Sequence, residues 1–137
     1  MILFLIACIS ENISFKEYDI SIQISNPSPD ASHNAMLLHE WVGEGILRYP
    51  MYPLEEIYFN GDTLDSWTVL VRQDQGEGLA LFVWEDIDGD EIHCGIDKEE
   101  ERSKLVILDE TTLNISTTIE LAESCLGFER QYDILEE

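Results

Sequence analysis

Six consecutive apolar residues, Leu79-Ala80-Leu81-Phe82-Val83-Trp84, present no polar face to water. Gln75-Gly76-Glu77-Gly78 precedes the run and Asp88-Gly89 follows it. A short apolar stretch between turn signals reads as a strand, and this one reads as the central strand of a sheet. The rest of the chain has to supply the strands and layers that cover it.

Several other segments carry strand character. Tyr18, Ile20, Ile22 and Ile24 alternate with Asp19, Ser21, Gln23 and Ser25, the pattern of a half-buried strand. Ile57-Tyr58-Phe59, Trp67 to Val71, Glu91 to Ile96 and Lys104 to Leu108 read as further strands, with Asn60-Gly61-Asp62 as a turn. Met1 to Ile9 is nearly all apolar and reads as a strand buried on both faces. Two helices are expected. One runs from Ser32 or Asn34 to Leu47, where Met36, Leu37, Trp41 and Ile46 fall near helical spacing; the other runs from Thr117 to Cys125. Tyr49-Pro50-Met51-Tyr52-Pro53 reads as an irregular connection, and Phe128 to Glu137 as a polar tail. The expected architecture is therefore α+β: a mostly antiparallel sheet of six to seven strands with two helices packed on it. At 137 residues it forms a single domain.

Charge narrows the choice of partner. Seven Lys and Arg stand against 29 Asp and Glu, a net charge of −22. Nucleic acids and anionic membranes are disfavoured, because binding phosphate takes clustered basic residues and the seven here are scattered. So much like charge repels itself in the compact state, which leaves a solubility or high-salt trait or a basic partner as its uses.

Cys8, Cys94 and Cys125 are odd in number, widely spaced and free of any CxxC pairing, so a thiolate zinc site is not indicated. The economical reading is three reduced thiols in a cytoplasmic protein. Leu5-Ile6-Ala7-Cys8 has the form of a bacterial lipoprotein cleavage box. No basic residue precedes it, however, and about six apolar residues is short for a signal core, so the strand reading is preferred.

The densest chemistry is Glu85-Asp86-Ile87-Asp88-Gly89-Asp90-Glu91. Asp86, Asp88, Asp90 and Asp97 match half of a calcium loop, but Glu91 stands where the sharp turn needs Gly, and Asp97 where a bidentate Glu belongs. Residues 85 to 101 hold nine acids and one Lys, a local charge of −8, and read as one protruding acidic edge. Such an edge either blunts a strand against aggregation or serves as a polyanionic docking surface. The candidate docking residues are Trp84, Glu85, Asp86, Asp88, Asp90, Glu91, Asp97, Glu99, Glu100 and Glu101, with Trp84 as an aromatic anchor beside the charges. His33, His39 and His93 show no HxxxH or HExxH spacing, and no phosphate loop or nucleophile elbow is present.

No catalytic residues and no cofactor are indicated. The expected function is that of a small acidic cytoplasmic binding protein. It would be an inhibitor of the immunity type that neutralises a basic partner, such as a nuclease-like bacterial toxin, by electrostatic docking. The alternatives are a structural or ligand-binding domain whose acidity is a salt trait, and a weak divalent-cation module using the 86–90 turn.

Overall fold

The computed structural model describes residues 14–44, 46–94 and 101–136. Among these lie nine strands: β1 (Phe15–Ile24), β2 (Ser32–Glu44), β3 (Leu47–Asn60), β4 (Thr63–Arg72), β5 (Gly76–Glu77), β6 (Leu79–Asp86), β7 (Arg102–Leu108), β8 (Asn114–Ile119) and β9 (Ala122–Glu123). One helix, α1 (Phe128–Glu136), follows them. The strands form two sheets. The smaller has the order β4-β1-β8; the larger runs β3-β2-β6-β7-β9, with β5 added beside β2. All pairings are antiparallel except β1 with β8.

The two sheets share one core. From the small sheet come Tyr18, Ile20, Ile22 and Ile24 of β1, with Trp67, Val69 and Val71 of β4; Ala35, Leu37, Leu79, Leu81 and Val83 meet them from the large one. The alternation in β1 and β4 sends every second side chain inward, as period two requires. β6 differs because all eight of its residues are buried. Leu79, Leu81 and Val83 face the small sheet, while Ala80, Phe82 and Trp84 face outward into a second cluster with Leu38, Met51, Leu105 and Tyr132. α1 closes that outer face. Phe128 and Tyr132 lie four residues apart on one side of the helix, and their rings meet Phe82 at 5.9 Å and Trp41 at 5.8 Å.

The structure corrects several expectations. The segment read as the first helix is strand β2, and its neighbours β3 and β6 cover both of its edges. The register of β2 against β3 shifts between Leu37 and Leu38. The extra residue is Leu54 of β3, and β2 itself runs unbroken beside β6. Ordinary alternation sends Ala35 and Leu37 to one cluster and Met36 and Leu38 to the other, so a strand buried on both faces shows no period of two and imitates a helix. The second expected helix, Thr117 to Cys125, instead supplies the end of β8 and the short β9. Its β-branched Thr117, Thr118 and Ile119 suit an extended backbone. The single described helix stands where a polar tail was expected. Residues 49–53, expected to be irregular, belong to β3 despite their two prolines; β3 is an edge strand, the place in a sheet where proline is tolerated. Residues 91–94 form bends and a turn, not a strand. Asn60-Gly61-Asp62 does turn the chain, with Gly61 at φ 80°, but it hands the chain from one sheet to the other. Cys94 and Cys125 form a disulfide, so these two thiols are not reduced. The expected Met1 to Ile9 strand lies outside the described residues. Among the described residues, no helix is long and apolar enough to cross a membrane.

Candidate functional site: the acidic turn after β6

β6 ends and β7 begins side by side, because Trp84 pairs with Ser103. Two acids from β6, Glu85 and Asp86, therefore meet Glu101 and Arg102 at the other strand's entrance. Side chains alternate along each strand, so neighbouring residues face opposite ways. Glu85 faces Arg102; Asp86 faces Glu101.

Glu85 is fully provided for. Its Oε2 accepts from Arg102 Nη2 at 2.8 Å and from the Ser28 amide at 3.1 Å, and its Oε1 accepts from the Ser28 hydroxyl at 2.8 Å. Burial pushes this carboxyl up, but Arg102 and both Ser28 donors hold it below its ordinary value. His33 Nε2 lies 3.6 Å away, while its Nδ1 bonds the Gly61 carbonyl at 2.8 Å. Burial lowers the His33 pKa; the Gly61 bond and Glu85 oppose the shift without cancelling it.

The other face is different. Asp86, Asp88, Asp90 and Glu101 each bring a carboxylate oxygen within 4.8 Å of the others. Asp86 is 5% exposed and Glu101 1% exposed, while Asp88 and Asp90 reach solvent. Backbone amides hold this arrangement in place. Asp86 Oδ1 accepts from Gly89 N at 3.0 Å and Oδ2 from Glu91 N at 2.9 Å; Asp90 Oδ1 accepts from Ile92 N at 2.9 Å. Glu101 takes Ile87 N at 2.6 Å on Oε2 and Cys94 N at 2.7 Å on Oε1. Each carboxylate still has lone pairs to spare. Among the described residues, no Lys or Arg pairs with any of the four. Burial raises the Glu101 pKa and the two amides draw it down; Asp88 and Asp86 push it up further, and the net shift is upward.

The turn makes the sharp bend without the expected glycine. Glu91 itself adopts φ 61°, the left-handed conformation for which Gly is preferred at that loop position. Past it, His93 stacks edge-on against Phe82 at 5.3 Å, and the Cys94–Cys125 disulfide fastens the turn beside β9.

The expected docking residues therefore divide. Trp84 belongs to the core under α1, and Glu85 is buried against Arg102, so neither stands on a protruding edge. Asp86 and Glu101 also turn inward. Asp88, Asp90 and Glu91 are exposed. Asp97, Glu99 and Glu100 lie outside the described residues. The role of Glu101 as the acid that closes the turn was missed, because the loop pattern places that acid at Asp97. Its place directly before the strand that pairs with β6 was the available signal. Comparison with known proteins finds no family model, no curated protein and no solved structure that matches this chain.

Proposed function

We propose that this chain is a non-catalytic binding domain whose acidic turn, Asp86, Asp88, Asp90 and Glu101, takes a hard divalent cation, Ca²⁺ in preference to Mg²⁺. One observation carries the reading: of two adjacent buried acids, Glu85 is neutralised by Arg102, whereas Asp86 meets Glu101 and, among the described residues, no Lys or Arg pairs with either. Buried charges are paired or coordinate metals. An all-oxygen set on a turn with two exposed members suits the adaptable geometry of Ca²⁺ better than the strict octahedron of Mg²⁺. Calorimetric titration of chelator-treated protein with CaCl₂ is expected to give one site in the range of extracellular modules, about 10⁻⁴–10⁻³ M. Asp88→Asn with Asp90→Asn should abolish it, and no binding heat in the unaltered protein would overturn the reading.

The net charge of −22 supports a second reading, in which the domain masks a basic protein, of the toxin or nuclease kind, through exposed acids. Asp88, Asp90 and Glu91 are the described turn residues that such a partner could touch. Association with a co-purified basic partner would then slow steeply with ionic strength, and reversing these three to Lys would abolish capture. Capture unaffected by the reversal would refute this reading.

The Cys94–Cys125 bond also bears on compartment. The cytoplasmic placement rested on reduced thiols, and a structural disulfide supports an oxidising compartment instead.

A further inference from the structure

Glu101 is the acid of the turn that is tied to the disulfide. Its Oε1 accepts from the Cys94 amide at 2.7 Å, and its own amide donates to Cys94 Sγ at 3.3 Å, so the two residues clamp each other in both directions. Cys94 keeps this pose at φ 57°, a left-handed conformation that residues other than Gly seldom adopt unaided. Cys125 supplies the restraint, bonded to Cys94 from 31 residues away. It follows β9, and β9 pairs with Arg102 and Ser103, the two residues after Glu101. His93 completes the circuit, with Nε2 at 3.0 Å from the Glu101 carbonyl and 2.9 Å from that of Ser124, the neighbour of Cys125. Two amides therefore hold the Glu101 carboxylate, and they are anchored differently. Ile87 N comes directly from the end of β6, whereas Cys94 N depends on the sulfur bridge for its aim.

We infer that the Cys94–Cys125 disulfide is a redox switch on the acidic turn: closing it delivers the Cys94 amide to Glu101 and sets the four carboxylates for Ca²⁺, and opening it weakens the hold on the ion. The inference rests on the cation reading of this turn. Closing the switch is thiol–disulfide exchange with a small-molecule disulfide such as oxidised glutathione. The thiolate of one cysteine attacks it, its S–S bond breaks, and one glutathione leaves from the mixed disulfide. The second cysteine then displaces the other glutathione. The two protein thiols are oxidised, the glutathione disulfide is reduced, and the two protons end on the two departing thiols. With the bridge open, the left-handed conformation at Cys94 loses its restraint, while Ile87 N still serves Oε2. The ion is then bound about tenfold less tightly, within the usual range of coupling between sites. Linkage makes the effect reciprocal: bound Ca²⁺ makes the disulfide harder to reduce by the same factor, which is about 30 mV in its potential. The oxidised chain loads the cation; the reduced chain holds it weakly.

The test titrates CaCl₂ calorimetrically into the oxidised protein and into Cys94→Ser with Cys125→Ser. Sucrose is present to favour the folded state of both, and circular dichroism checks it. The unaltered chain is also equilibrated in glutathione redox buffers, in chelator and in CaCl₂, with Asp88→Asn/Asp90→Asn as the control that lacks the cation site. The expected result is a dissociation constant about tenfold higher in the folded cysteine variant, with a disulfide that Ca²⁺ stabilises by about 30 mV in the unaltered chain and not in the control. Equal affinities, with a glutathione equilibrium that ignores the ion, would overturn the switch and leave the cation site standing. Oxidised protein that binds no Ca²⁺ would overturn the cation reading, and the switch with it.

Discussion

Glu85 and Asp86 are neighbours in the chain with opposite electrostatic circumstances. Glu85 ionises below its ordinary range, so its contribution to stability is present above its unfolded pKa and lost as pH falls through the folded one. Removing its cation should be costly. Arg102→Met is expected to lower unfolding free energy by about 3–5 kcal/mol, the cost of stranding a buried charge. Adding Glu85→Gln should recover part of that loss in denaturant titrations; full additivity of the two changes would deny the pairing. His33 works in the same direction by another route. Its folded pKa is lowered by burial, so the folded state binds a proton less readily than the unfolded chain does. Its stability contribution is full above the unfolded value near 6.5 and declines as pH falls through that value towards the folded pKa. Melting temperature should therefore drop on mild acidification, and His33→Phe should flatten the drop in this window. Glu101 runs opposite: with its pKa raised, the cation-free folded state gains stability as pH falls through that pKa.

At the scale of elements, legibility depended on how many faces a strand buries. β1 and β4 bury one face each; the alternation was plain in Tyr18 to Ile24, and Trp67 to Val71 read as a strand although exposed Leu70 blurs its alternation. β6 was also plain, because a run with no polar face can only be central. β2 was misread for a physical reason: it buries both faces over Ala35 to Leu38 and flanks that short run with buried His33, Asn34 and His39, so it shows no clean alternation. α1 was missed because Phe128 and Tyr132 are its members of the apolar cluster while Gln131 fastens it to β7 by hydrogen bonds, and so few apolar residues leave little trace in a polar segment. The acidic turn was visible as composition, but its geometry was not. Which acids turn inward depends on the pairing of β6 with β7, and Glu101 joins the set from beyond six residues whose placement is not described. The disulfide is the fastening of this region. It closes a loop of 31 residues, so replacing Cys94 and Cys125 with Ser is expected to cost about 3–4 kcal/mol by chain entropy. Calorimetric unfolding of the double variant measures this, and an unchanged melting temperature would mean that α1 and β9 hold without it.

For the whole molecule, a charge of −22 makes compactness itself the electrostatic burden. Monovalent salt should stabilise the fold modestly by screening that repulsion. A cation bound at the turn acts differently, because it is held by the folded state alone and stabilises by mass action: about 2.7 kcal/mol at a hundredfold excess over its dissociation constant. The most direct measurement is therefore thermal unfolding in chelator and in excess CaCl₂ at matched ionic strength, for the unaltered protein and for Glu101→Gln. The expected result is a marked rise in melting temperature with Ca²⁺ for the unaltered protein and little or none for Glu101→Gln. Equal responses from the two proteins, or a response that an equal ionic strength of NaCl reproduces, would contradict a cation site at the turn.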